Sequence, residues 1–142
     1  MSEKVLLVDD EIDFLEVMSQ RMTARGLEIT TAESAVQAIS IIKKKTFDAV
    51  VMDFQMPGMN GMEALKIIKN NKPEMQVILL TAYATIEKTV EVIKAGAMDL
   101  LEKPADIDAL IDKIKKAKRD KELQIEKQTE ERVQDILNRF GG

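Results

Sequence analysis

The chain has 142 residues, 45% of them apolar, and a net charge of −4, which favours one packed domain with at most a short appendage. It contains no cysteine and no histidine, which excludes disulfides, zinc–thiolate sites, histidine-based triads and a phosphohistidine of its own. The acidic, mixed-sign balance argues against a binder of the phosphate backbone, so no direct nucleic-acid contact is expected.

The chain opens Met1-Ser2-Glu3-Lys4 and then runs apolar over residues 5–8. That run is too short for a signal peptide, and nothing approaches the roughly 20 apolar residues of a membrane span. A cytoplasmic protein without membrane attachment is therefore expected. Further short apolar runs, read as strands, lie at residues 27–31, 49–52, 77–80 and 98–101. The segments between them carry apolar residues three and four apart, the helical spacing. Leu15, Met18 and Met22 form the first stripe, and Ala35, Ala38, Ile39 and Ile42 the second. Leu65 and Ile68 mark the third; Ile86, Val90 and Ile93 the fourth; Ile107, Leu110, Ile111 and Ile114 the fifth. Asn60 with Glu63 predicts a capping box, Gly26 and Gly96 suit helix ends, and Asp106 suits a helix start.

Fivefold β–α alternation predicts an α/β fold with a doubly wound parallel sheet. The runs at 5–8, 49–52 and 77–80 are uninterrupted and apolar, as central strands must be, whereas the other two are mixed and suit edges. The five-stranded order 2-1-3-4-5, flavodoxin-like, follows, and its switch point lies between strands 1 and 3 at their carboxyl ends. After residue 118 the composition turns highly charged, and no Pro, Gly or Ser interrupts residues 105–140. The expectation is a domain over 1–118 and a helical extension or linker over 119–142, with the fifth helix running on.

Strand 1 is followed by Asp9-Asp10-Glu11, strand 3 by Asp53, strand 4 by Thr81 and strand 5 by Lys103-Pro104. Two carboxylates 4 Å apart repel by about 4 kcal/mol at an effective dielectric near 20. A hard divalent cation relieves this, and few carboxylates with open water positions suit Mg²⁺ better than calcium. Asp9 and Asp10 alone would read as a turn or N-cap pair; Asp53 at the end of a neighbouring buried strand favours the metal. A carboxylate can accept a phosphoryl group, a transfer that needs positioning and charge neutralisation more than covalent help. Lys103 and Mg²⁺ would neutralise, and Thr81 would donate a hydroxyl. Alone, Lys103 reads as a surface lysine and Thr81 as a strand end; the combination carries the inference.

Together, Val5-Leu6-Leu7-Val8-Asp9-Asp10-Glu11, Met52-Asp53-Phe54-Gln55-Met56-Pro57-Gly58-Met59-Asn60-Gly61, Leu80-Thr81-Ala82-Tyr83 and Leu101-Glu102-Lys103-Pro104 resemble the response-regulator receiver domains of two-component signalling. The resemblance covers residues 4 to about 118 in order. The stretch from Thr81 to Lys88 is similar to nitrogen-regulation receivers that precede an ATPase domain, which this sequence does not include. The resemblance implies that Asp53 is the phosphoacceptor and that Mg²⁺ is held by Asp10, Asp53 and the backbone carbonyl of Gln55. Asp9 would act through water, Lys103 would pair with the phosphoryl group, and Thr81 would move to bond it. The Lys103–Pro104 bond is typically cis in the family, an option proline allows.

The implied partners are a sensor histidine kinase or phosphotransfer protein and an output protein. A homodimer through the strand 4, helix 4, strand 5 face or through the C-terminal helix also fits. The implied activity is that of a switch, limited to self-catalysed phosphoryl transfer and slow autodephosphorylation. Two other readings stay open: an interaction module that ignores phosphorylation, and the receiver part of a sigma-factor-dependent transcriptional activator.

One position departs from the family pattern. Leu100 stands where the family usually has the aromatic that swings inward when the threonine moves. Tyr83, two residues after Thr81, either shields the phosphoaspartate or stands in for that aromatic, and Gln55 flanks the site. Met56, Met59 and Met62 read as flexible gap-fillers around the Pro57-Gly58 turn. In the tail, Ile125, Val133, Ile136, Leu137 and Phe140 fall near one helical face, but Thr129 breaks the stripe and a coiled-coil heptad is not met. The tail would dock on a partner or second copy, fold back on its own domain, or serve as a linker.

Competing chemistries lack their motifs. A haloacid-dehalogenase-type phosphatase needs Asp-x-Asp after strand 1, and Asp9-Asp10-Glu11 lacks that spacing. A flavin module needs a hydroxyl- and glycine-rich phosphate loop where this chain has acids. A P-loop enzyme needs G-x-x-x-x-G-K-[ST], which does not occur.

Overall fold

The three uninterrupted apolar runs form the middle of a five-stranded parallel sheet. The computed structural model describes residues 2–141. The strands are β1 (Lys4–Val8), β2 (Glu28–Ala32), β3 (Ala49–Asp53), β4 (Val77–Thr81) and β5 (Asp99–Glu102), in the order β2-β1-β3-β4-β5. The helices are α1 (Ile12–Ala24), α2 (Ala35–Lys44), α3 (Gly61–Asn71), α4 (Ile86–Lys94) and α5 (Ile107–Phe140). The fold class and strand order are those expected from the sequence. The β2 and β5 windows each sit one residue later than their apolar runs. Parallel ladders, not hydrophobicity, set those bounds: Lys4 pairs with Glu28, and Thr81 with Glu102.

Successive strand residues point to opposite faces, so each central strand feeds two cores. Leu6, Val8, Val50, Met52, Val77 and Leu79 pack under α2, α3 and α4. Val5, Leu7, Ala49, Val51, Ile78 and Leu80 pack under α1 and α5. Leu15, Met18 and Met22 of α1 and Leu110, Ile111, Ile114 and Ala117 of α5 close that second core. Met56 is buried and Met59 and Met62 pack against the first core, the gap-filling role expected of them.

Helix ends follow their local chemistry. Asn60 and Glu63 form a complete capping box, and the carboxylate of Asp106 accepts from the Asp108 amide. Gly26 and Gly96 follow α1 and α4 at φ of 91° and 108°, the left-handed region where glycine carries no steric penalty.

The fourth stripe marks α4 as expected, but it is not the face packed on the sheet. Ile86, Val90 and Ile93 are exposed, and α4 buries only Val92. Periodicity locates a stripe but not the side facing the sheet. The fifth helix runs unbroken to Phe140 and does not fold back. Lys121 Nζ donates to the Phe47 carbonyl at 2.7 Å and Gln124 Nε2 to the Pro73 carbonyl at 3.3 Å. Beyond Gln124 every described residue is exposed. Among the described residues no helix is long and apolar enough to cross a membrane.

Candidate functional site

Sheet register assembles the site. Val8 pairs with Met52, so Asp9 and Asp53, one residue further along each strand, leave the sheet side by side. Asp53 pairs with Leu80, which sets Thr81 at the same edge. Across β4, Thr81 pairs with Glu102 and its carbonyl accepts from the Lys103 amide at 2.7 Å. The following Lys103–Pro104 peptide is cis.

Carboxylate oxygens of Asp9, Asp10 and Asp53 all lie within 4.8 Å of one another. Asp9 and Asp53 are buried and Asp10 is exposed. Lys103 Nζ lies 2.6 Å from Asp9 Oδ2 and 3.5 Å from Asp53 Oδ2, with 16% of its side chain exposed. Asp9 Oδ1 accepts from the Glu11 amide at 2.9 Å, and Asp53 Oδ1 from the Gln55 amide at 3.2 Å. The N-cap of α1 is Glu11, without a side-chain cap bond, so Asp9 and Asp10 do not cap that helix.

Burial pushes the Asp53 carboxyl above its ordinary range and Asp9 adds to the rise, against the Gln55 amide and the Lys103 charge. Burial alone would lower the Lys103 ammonium. Its hydrogen bond to Asp9 and the charges of Asp53, Asp9 and Glu11 outweigh that and raise it. One ammonium thus meets two of the three clustered carboxylates, Asp9 and Asp53. The remaining negative charge, with all-oxygen donors and one acid open to water, fits a hard divalent cation.

Thr81 is buried, but its hydroxyl lies 3.4 Å from both the backbone N and O of Tyr83. Tyr83 is 68% exposed, and Lys88 Nζ lies 5.7 Å from its ring centroid. Leu100 is buried in the core beneath α4, alongside Val92. Sequence reasoning passed over Phe14, whose ring centroid lies 4.3 Å from Lys103 Nζ. Only its apolar character next to Leu15 signalled it.

This arrangement agrees with comparison to known proteins. Residues 5–115 match the family described as the response regulator receiver domain. The chain belongs to that family. It is similar to transcriptional regulators: ZraR of Klebsiella oxytoca is 37% identical over 106 residues, 75% of this chain and 24% of that protein. NtrC of Klebsiella pneumoniae is 38% identical over 110 residues, 75% of this chain and 24% of that protein. The receiver thus spans about a quarter of these curated relatives. Among solved structures, a receiver domain protein of Clostridium thermocellum superposes with a TM-score of 0.81 at 31% identity, covering 86% of this chain and 98% of that one. The beryllofluoride-activated NtrC4 receiver dimer gives 0.78 at 32% identity, covering 83% and 98%. The receiver family consists of phosphoacceptor switches rather than turnover enzymes.

Proposed function

We propose that this receiver accepts a phosphoryl group on Asp53 from a sensor histidine kinase or phosphotransfer protein and thereby changes its protein contacts. The observation that carries the reading is the Asp9–Asp10–Asp53 cluster with the Lys103 ammonium set among its carboxylates. An Asp53 carboxylate oxygen attacks phosphorus, the donor's N–P bond breaks, and its electron pair returns to the donor imidazole. Asp10, Asp53 and the Gln55 backbone carbonyl would hold Mg²⁺, with Asp9 acting through water. Bound there, Mg²⁺ would supply the positive charge that neutralises the phosphoryl oxygens. Lys103 pairs with the phosphoryl group. Thr81 leaves its Tyr83 backbone contacts to donate its hydroxyl, and the shift biases the β4–α4–β5 face between two arrangements.

With Leu100 already filling the inward position, no aromatic swing is required, and exposed Tyr83 shields the acyl phosphate from one side. The receiver occupies residues 1–118 and the extension 119–142. It acts in the cytoplasm on an output protein or a second copy. A second reading, the receiver part of a longer sigma-factor-dependent activator, draws on relatives that this chain spans by only 24%.

The test is intact mass after incubation with Mg²⁺ and a small acyl phosphate. The wild-type chain should gain one phosphoryl group and Asp53→Asn none. Equal stable labelling of the variant would move the acceptor elsewhere.

A further inference from the structure

Lys103 is the one cation in contact with the acidic cluster among the described residues, and it is mostly stripped of water. Asp9 accepts one of its N–H groups at 2.6 Å, and Asp53 lies farther off at 3.5 Å. A third neighbour is not an oxygen. The Phe14 ring, in the first turn of α1 and partly buried against the core, has its centroid 4.3 Å from Nζ. That is well inside the roughly 6 Å over which an ammonium is attracted by an aromatic quadrupole. A leucine there would supply apolar surface but no such attraction.

We infer that Phe14 is a positioning residue for Lys103, holding its ammonium in place while the lysine trades the Asp9 carboxylate for a phosphoryl oxygen on Asp53. This rests on the reading of Asp53 as acceptor. A hydrogen bond is lost once its partners separate by more than about 3.5 Å. Attraction to a ring face declines gradually instead, and persists through a shift of about an ångström. The ring therefore limits how far Lys103 strays without committing it to one oxygen. The ring packs against the core that α1 and α5 cover, and the cluster keeps Asp10 open to water.

The test uses the full chain with Phe14→Leu and Phe14→Tyr, each in wild-type and Lys103→Met backgrounds. Phosphorylation by a small acyl phosphate is timed at saturating Mg²⁺, and Mg²⁺ affinity is measured by titration calorimetry. Phe14→Leu should slow phosphorylation about three- to tenfold, with Mg²⁺ affinity changed less than about twofold. Phe14→Tyr, which keeps the π face, should stay within about twofold of wild type. In the Lys103→Met background, Phe14→Leu should have almost no effect, because the two residues act as one unit. Equal slowing in both backgrounds would show that the ring acts through packing and would overturn the inference, as would an unchanged rate for Phe14→Leu. Phe14→Met repeats the test should the leucine variant not fold. If wild type gains no phosphoryl group at Asp53, the acceptor reading fails first, visible before any Phe14 variant is made.

Discussion

Asp53 sits at the end of a strand buried along its whole length, and its charge is unwelcome there despite Lys103. Its carboxyl is raised above the ordinary 3.8, so between 3.8 and the folded value the native protein holds a proton that the unfolded chain has lost. The stability this group contributes is therefore present below 3.8 and is lost as pH rises through its folded value. In metal-free buffer, Asp53→Asn should be more stable than wild type at pH 7, with the gap closing toward pH 3.8; urea midpoints across pH measure this. Magnesium acts in the opposite sense at the same oxygens. A cation at 100 times its Kd adds about 2.7 kcal/mol to the native state, and Asp10→Asn should abolish most of that gain in thermal melts. The acids and Lys103 were legible as sequence because each follows a recognisable strand. Phe14 was not, because its partner lies 89 positions away and apolar spacing singled out its neighbour Leu15.

The loop between β3 and α3 ties the acceptor strand to its helix. Gly61 opens α3 so close to β3 that a Cβ there would lie 2.7 Å from Phe54 Cα and 2.9 Å from the Asp53 carbonyl oxygen. Both contacts are backbone and cannot swing aside. Gly61→Ala should cost about 1–3 kcal/mol of stability and slow phosphorylation, since the displaced atoms belong to Asp53 and its neighbour. Asn60→Ala should cost about 1 kcal/mol by removing the cap while leaving the phosphorylation rate near wild type. Stopped-flow labelling and urea unfolding of the pair separate the two effects. At this scale the sequence was a good guide wherever a cap or a buried run marked an element. It found α4, a helix of nine residues, but not its packed face: isoleucines and a valine with helical spacing face outward and Val92 alone is buried. A stripe of that length does not distinguish the face packed on a sheet from a face left for another molecule. Leu100 shows the same gap: its type was plain, but its burial beneath α4 needed the register of β4 with β5.

Across the whole molecule, α5 belongs half to the domain and half to solvent. Ending the chain after Lys118 removes the bonds of Lys121 to Phe47 and of Gln124 to Pro73, and should lower stability by about 1–2 kcal/mol. Ending it after Thr129 removes, among the described residues, only exposed ones and should leave the unfolding midpoint unchanged. Strand order was legible because purity of apolar character separates central from edge strands. Where the last helix stops touching the domain was not, because lysine and glutamine reaching backbone carbonyls look like ordinary surface residues. The bare stretch from Ile125 to Phe140 rises about 24 Å at the standard pitch. Since α5 is one element, the direction in which that tip faces is fixed by winding rather than by contact. Inserting a single residue would rotate the tip by about 100°, whereas seven would nearly restore its azimuth while moving it about 10 Å outward. The length of this rod is thus an aiming parameter, adjustable without touching the sheet.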